Sequence, residues 1–209
     1  MKKGLVTLVA ALLVFSSVGL ASALTIKNGS FESGDFTDWD ANDYTGTATV
    51  VTEATAASGN IYTATDGIYF ANLVADSALL QFGLTWNAGE KIGFDWAFLA
   101  KDYDPYNDIA LFSLAATTNA DTKTVRLSDV LTVGDFGDSG WQTYVYTFAE
   151  AGQGMITFGS LNDGDQGFQS SLLIDNVTNN PVPEPSTIIL LGAGLLGLGF
   201  FGRKRMNKA

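Results

Sequence analysis

The chain has 209 residues, of which 11 are basic and 22 acidic, and its formal net charge is −11. It contains neither cysteine nor histidine. A disulfide framework, a thiolate metal site, a serine–histidine triad and a histidine–zinc centre are therefore all excluded. The length allows one or two domains.

The first predicted element is a signal peptide over residues 1–23. Lys2 and Lys3 precede an apolar run at 5–20, and Ala21 and Ala23 are small residues at the two positions that a signal peptidase reads. We expect cleavage after Ala23. The alternative is a retained N-terminal membrane anchor, for which the apolar run is short.

Residues 24–180 have the pattern of an all-β domain. Turn-forming residues separate short apolar runs, and no helical period is visible. In the clearest run Ile92, Phe94, Trp96 and Phe98 alternate with smaller or polar residues, which predicts a strand with one buried face. Strands are predicted at 47–53, 68–74, 79–84, 92–99, 110–116, 122–127, 141–148, 155–161 and 171–178, with an opening strand region at 28–34. This number and spacing predict a jelly-roll β-sandwich.

Two acidic segments lie between predicted strands. The segment 101–108 places Asp102, Asp104 and Asp108 as oxygen donors that would suit calcium, but it lacks the glycine and glutamate of an EF-hand loop. A solvated turn fixed by Pro105 is the favoured interpretation, and 162–166 is also interpreted as a turn.

The aromatic residues near these segments allow two arrangements. The tyrosines of 101–108, with Trp39 or Trp86, would form an exposed platform for sugar rings. Burial in the core is the more frequent arrangement of tryptophans in sandwiches.

The two ends of this domain carry short motifs. The first is Asn28-Gly29-Ser30-Phe31-Glu32-Ser33-Gly34, and the second is Leu172-Leu173-Ile174-Asp175-Asn176-Val177. Together they resemble the opening and closing strands of galactose-binding-like sandwiches, which include many carbohydrate-binding modules. The resemblance implies that Glu32 and Asp175 bind a structural calcium ion. The alternative is that Glu32 accepts hydrogen bonds within its own turn while Asp175 lies on a solvated strand face.

The last predicted element is a sorting tail over residues 181–209. Val182, Pro183, Glu184 and Pro185 precede an apolar stretch at 188–202, and a basic cluster follows at 203–205. The stretch predicts a transmembrane helix with its C-terminus in the cytoplasm. The order of these three features resembles the PEP-CTERM sorting signal, which implies recognition by an exosortase-type membrane protease. The alternative is an ordinary C-terminal anchor.

Removing both ends changes the charge of the protein. Residues 24–180 keep five basic and 21 acidic side chains, a formal charge of −16. Such a domain repels nucleic acid and anionic lipid surfaces. Cations and neutral glycans are compatible partners.

These features predict a non-enzymatic protein of the cell envelope, cell surface or extracellular matrix of a Gram-negative-type bacterium. By the PEP-CTERM resemblance it would associate with exopolysaccharide or biofilm. One alternative is a carbohydrate-binding module with a structural calcium ion. Another is a glycoside-active enzyme, since two carboxylates suffice for that chemistry.

Overall fold

The computed structural model describes residues 23–43, 45–117, 122–165 and 167–179. Apart from Ala23, the predicted signal peptide lies outside these residues, as do the sorting motif at 182–185 and the transmembrane helix at 188–202. Within the described ranges, no helix is long and apolar enough to cross a membrane.

The described chain is built of short strands, as the sequence predicts. Each of the nine predicted strand ranges coincides with an observed strand. The elements are β1 (Asp40–Asp43), β2 (Thr47–Val51), β3 (Ala54–Thr55), β4 (Ile61–Tyr62), β5 (Phe70–Val74), β6 (Ser77–Trp86), β7 (Lys91–Leu99), β8 (Ile109–Ala116), β9 (Lys123–Asp129), α1 (Val130–Val133), β10 (Gln142–Thr147), β11 (Gly152–Leu161) and β12 (Ser171–Asn179).

Ten of these strands form two five-stranded antiparallel sheets. Sheet A has the order β1-β6-β11-β8-β9, and sheet B has the order β10-β7-β12-β5-β2. The prediction of an all-β, jelly-roll sandwich is confirmed. Three connections that are separate along the chain, β7 to β8, α1 to β10 and β11 to β12, bring their loops together at one end of the sandwich.

The main core lies between the sheets and is rich in phenylalanine. The alternation in β7 directs Phe94 and Phe98 inward, and the Phe94 ring lies 4.9 Å from Phe112 and 4.8 Å from Phe158. Trp39 and Trp86 belong to the same core and are only 8% and 2% exposed. The alternative that placed these tryptophans in an exposed sugar platform is therefore wrong.

A second, smaller core covers the outer face of sheet B. The hairpin β3–β4 places Tyr62 on Phe70, Leu99 and their neighbours. Asp138 holds the hairpin by accepting hydrogen bonds from the Tyr62 hydroxyl, Ser58 Oγ (2.5 Å) and Asn60 Nδ2 (3.0 Å). Partial burial opposes ionisation of Asp138, but these bonds prevail and lower its pKa.

The opening segment 28–34 is not a strand, so that part of the prediction is wrong. Asn28, Phe31 and Gly34 have left-handed backbone dihedrals, with φ of 45°, 56° and 75°, which an extended strand does not allow. The expected proximity to the last strand is confirmed, because the Val177 amide donates to the Gly29 carbonyl at 3.0 Å. A Cβ at position 29 would lie 1.9 Å from the Val177 oxygen, so this approach requires glycine.

Candidate functional site

Asp175 on β12 is a buried carboxylate that holds the segment before β5. Its Oδ2 atom accepts hydrogen bonds from the Thr65 amide (2.6 Å), the Asp66 amide (3.0 Å) and the Thr65 hydroxyl (3.1 Å). Its Oδ1 atom accepts from the Asn176 amide at 2.7 Å. The side chain has no exposed surface, so it does not lie on a solvated face. Burial raises the pKa of Asp175 against the opposing effect of these bonds.

Glu32 holds the next residues of the same segment. Its Oε1 atom accepts hydrogen bonds from the amides of Ile68 and Tyr69, both at 2.8 Å, rather than from its own turn. A Cβ at Gly67 would lie 2.3 Å from the Glu32 carboxyl carbon, so the segment passes directly against this carboxylate. The structure thus brings both sequence-predicted residues to the segment 65–69.

The atoms around Glu32 and Asp175 do not form a ready cation site. Glu32 Oε1 accepts two N–H donors, and Asp175 Oδ2 accepts two N–H donors and one O–H donor. The positive ends of these donors repel a cation. No three acidic side chains in the described part of the chain lie close enough together to hold a metal ion. Calcium would have to displace the amides of 65–69, and calcium binding here stays a prediction.

The acidic segment 101–108 is a loop with a turn, in agreement with the favoured interpretation. The Tyr106 amide donates to the Tyr103 carbonyl at 2.8 Å. Asp108 is buried, and its two oxygens accept the amides of Asp163 (3.0 Å) and Ser170 (2.9 Å). These bonds join the β7–β8 loop to the β11–β12 loop.

Three aromatic side chains meet on the surface where these loops converge. Tyr103, Phe136 and Phe168, here called the aromatic triad, come from three separate loops. Their ring centroids are 5.8 Å apart for Tyr103–Phe136 and 6.3 Å apart for each of the other two pairs. The residues are 38%, 40% and 62% exposed, and Tyr106 supports the triad with its ring 5.6 Å from Tyr103.

The triad is a surface feature that the sequence interpretation missed in part. It expected the tyrosines of 101–108 to be candidates, but it did not select Phe136 or Phe168. Both are isolated aromatics in stretches rich in Gly and Asp, and both have φ of 54°, a backbone conformation that bulky residues rarely adopt. A large aromatic residue in a turn, away from any strand, was the available signal.

Beneath the triad lies a carboxylate without a full set of partners. Asp102 has no exposed surface; its Oδ1 atom accepts the Tyr103 amide at 2.8 Å, and its Oδ2 atom has no hydrogen-bond partner among the described residues. Burial raises the pKa of Asp102, and the carboxylates of Asp108 and Asp165 add to the effect.

A cavity lies at the opposite end of sheet A from the triad. It has a volume of about 360 Å³ and is lined by Phe82, Leu84 and Met155 among others. Phe82 is 56% exposed and lies where the pairing of β6 with β11 changes register, next to Gly154. Its exposure is close to that of Phe168.

The comparison of the sequence with known families concerns the tail. Residues 181–205 match the PEP-CTERM protein-sorting motif. The PEP-CTERM prediction is thereby confirmed: the chain carries the sorting signal of an exported protein that an exosortase-type system sorts through the cell envelope. No curated protein matches the chain.

The chain is similar to several solved structures at low sequence identity. One is the structure of TmCBM61 in complex with β-1,4-galactotriose, which is 22% identical in sequence. The aligned region covers 76% of this chain and 98% of the TmCBM61 chain, with a TM-score of 0.46. The K3 cleaved adhesin domain of Lys-gingipain from Porphyromonas gingivalis is 15% identical, with coverage of 76% and 100% and a TM-score of 0.48. The CBM22-1 xylan-binding domain of Paenibacillus barcinonensis Xyn10C is 14% identical, with coverage of 73% and 90% and a TM-score of 0.41.

Proposed function

We propose that this protein is a non-enzymatic surface or matrix protein that binds extracellular polysaccharide through the aromatic triad. The observation that carries the proposal is the convergence of three exposed rings from three loops at one end of a rigid sandwich. The apolar face of a sugar ring stacks on aromatic side chains, and nearby carboxylates accept hydrogen bonds from its hydroxyl groups. Export supports this role, because it brings the domain to the compartment of exopolysaccharide and biofilm.

The exposure of the triad favours ligand binding, rather than packing in the core, as the role of its three side chains. Tyr103, Phe136 and Phe168 touch one another but leave large parts of their surfaces in water, while many other large aromatics of the domain are buried. Left-handed backbones occur at Phe136 and Phe168 and also at the buried Phe31, so the exposure of the two rings, and not their backbone strain, distinguishes them from core residues.

Binding is tested with soluble polysaccharides and two matched phenylalanine variants. Phe168→Ala is expected to weaken binding about 5- to 150-fold, if a sugar ring stacked on phenylalanine contributes as much as a stacked nucleobase, about 1–3 kcal/mol. Phe82→Ala removes a ring of similar exposure at the opposite end of sheet A and is expected to leave binding unchanged. Loss of binding in Phe82→Ala but not in Phe168→Ala would place the site in the cavity and overturn the proposal.

A matrix protein without glycan affinity is the second candidate function. The formal charge of −16 on residues 24–180 favours it, because a strongly charged domain stays soluble and hydrated at a cell surface. Saturable binding to any polysaccharide, lost in Phe168→Ala, excludes this candidate. A complete lack of saturable binding supports it.

The route of export is tested by intact-mass analysis of the protein from its producing cell. We propose that the producing cell has an envelope of the Gram-negative type. The expected mass is that of a chain that begins at residue 24 and ends near Pro183. A mass that includes residues 203–209 would show that the tail is not cut and that the protein is an ordinary anchored protein.

A further inference from the structure

The surroundings of the aromatic triad are strongly acidic. Asp104, Asp135 and Asp163 are exposed on the same three loops, and Asp165 is half-buried. The Asp104 amide donates to Asp135 Oδ1 at 3.1 Å, so the first two of these loops touch beside the triad. Among the described residues of 101–108, 134–140 and 162–170, Lys101 is the only basic side chain.

The buried residues next to the triad are acidic as well. Asp102 and Asp108 are buried directly under these loops, and neither has a cationic partner among the described residues. The Gly164 backbone lies against the Tyr106 ring, with 3.3 Å between the ring and an ideal Cβ position, which keeps the third loop close to the other two. Several carboxylates and a single lysine therefore surround the triad, so the local charge is negative.

From this charge pattern we infer that the triad binds a polysaccharide with ammonium groups, one whose hexosamine units are free of N-acetyl groups, in preference to neutral or uronate-containing chains. The inference rests on the proposed glycan-binding function. The faces of Tyr and Phe rings attract cations electrostatically, and they do so most strongly where water is partly excluded. The surrounding carboxylates add long-range attraction for the same groups and repel uronates.

The test uses the full chain in detergent and four hexasaccharides. The probes are a β-1,4-linked glucosamine hexamer, its fully N-acetylated form, a glucose hexamer and a galacturonate hexamer. Calorimetric titration is expected to give an affinity about tenfold higher for the glucosamine hexamer than for its N-acetylated form, in line with a cation–π contact and one nearby charge. The preference is expected to fall at high ionic strength, because exposed charges are screened.

A double variant separates charge from stacking. Asp104→Asn with Asp135→Asn keeps the oxygen atom that accepts the Asp104 amide, so the loops are expected to remain folded, which circular dichroism checks. This variant is expected to reduce the preference for the glucosamine hexamer about threefold, because the charge contribution is weakened while the cation–π contact remains, and to keep binding of the neutral hexamers. The exposed Asp40→Asn on β1 is the control, and it is expected to keep the preference.

The outcomes distinguish this inference from the proposed function. Equal affinity for the glucosamine, N-acetylated and glucose hexamers overturns the inference and leaves glycan binding intact. Binding of the galacturonate hexamer at equal strength also overturns it. If neither the four hexasaccharides nor any of the soluble polysaccharides used to test the proposed function bind, both the inference and the proposed function are overturned.

Discussion

Asp175→Ala is expected to lower the free energy of unfolding by about 3 kcal/mol, counted as about 1 kcal/mol for each of three amides left without an acceptor. These are the amides of Thr65, Asp66 and Asn176, at 2.6, 3.0 and 2.7 Å from the carboxylate. An unsatisfied buried donor costs about 1–3 kcal/mol, and we take the low end because water reaches residues 65 and 66. Removing a buried carboxylate also relieves its desolvation, which offsets part of the loss.

The assay is equilibrium unfolding in urea, with and without calcium. A loss of about 3 kcal/mol corresponds to a fall in Tm of about 6–12 °C for a domain of this size. Asp175→Asn can keep its oxygen on the side that accepts the Thr65 and Asp66 amides, so only the Asn176 amide then faces an NH₂ group, and the expected loss is about 1 kcal/mol. Asp40→Ala, an exposed acid on β1, is the control and is expected to change stability by less than about 0.5 kcal/mol.

Two results would refute this reasoning. A loss below about 1 kcal/mol in the presence of a chelator would show that the amides of 65 and 66 do not depend on Asp175. A loss that appears only when calcium is added would show that an ion, and not the amides, is the partner of this carboxylate. In that case the calcium prediction for Glu32 and Asp175 is confirmed.

The other predictions concern pH and backbone space. Because the pKa of Asp102 is raised in the folded state, its contribution to stability is complete below the ordinary Asp pKa of about 3.9 and is lost as pH rises through the folded pKa. Asp102→Asn is therefore expected to flatten the decline of the urea midpoint as pH rises above about 4, and a pH slope equal to that of the unaltered protein would contradict this. Gly67→Ala is expected to cost about 1–3 kcal/mol in thermal unfolding, because the position combines φ of 79° with a carboxylate 2.3 Å from the new methyl group. Gly59→Ala has φ of 89° and open space, so it measures the backbone strain alone, and an equal loss would exclude the steric contact.

The strands were predictable where burial imposes alternation. In β7 the inward positions Phe94 and Phe98 alternate with Asp95 and Ala97 of the outer face, so the large apolar side chains mark the face that packs between the two sheets. β1 was missed because all four of its residues are exposed and two are acidic, so no alternation marks it. The two-residue strands β3 and β4 are too short to show a period.

The site was less predictable because its residues are held by loops. Glu32 and Asp175 were identified through resemblance, and the structure shows their shared partner, the segment 65–69, which no spacing in the sequence indicates. The triad depends on three loops meeting, and Phe136 and Phe168 lie 32 residues apart in stretches that predict only turns. The opening segment was mistaken for a strand although its Asn-Gly and Ser-Gly pairs are turn signals.

The direction of β12 sets how the domain is displayed. The strand begins at Ser171, beside the loops of the triad, and runs to Asn179, at the end from which the chain continues to the sorting motif. Nine extended residues span about 30 Å. A tether attached on the C-terminal side would therefore join the sandwich at the end opposite the aromatic triad, so the triad would stay clear of the attachment point and accessible to large ligands.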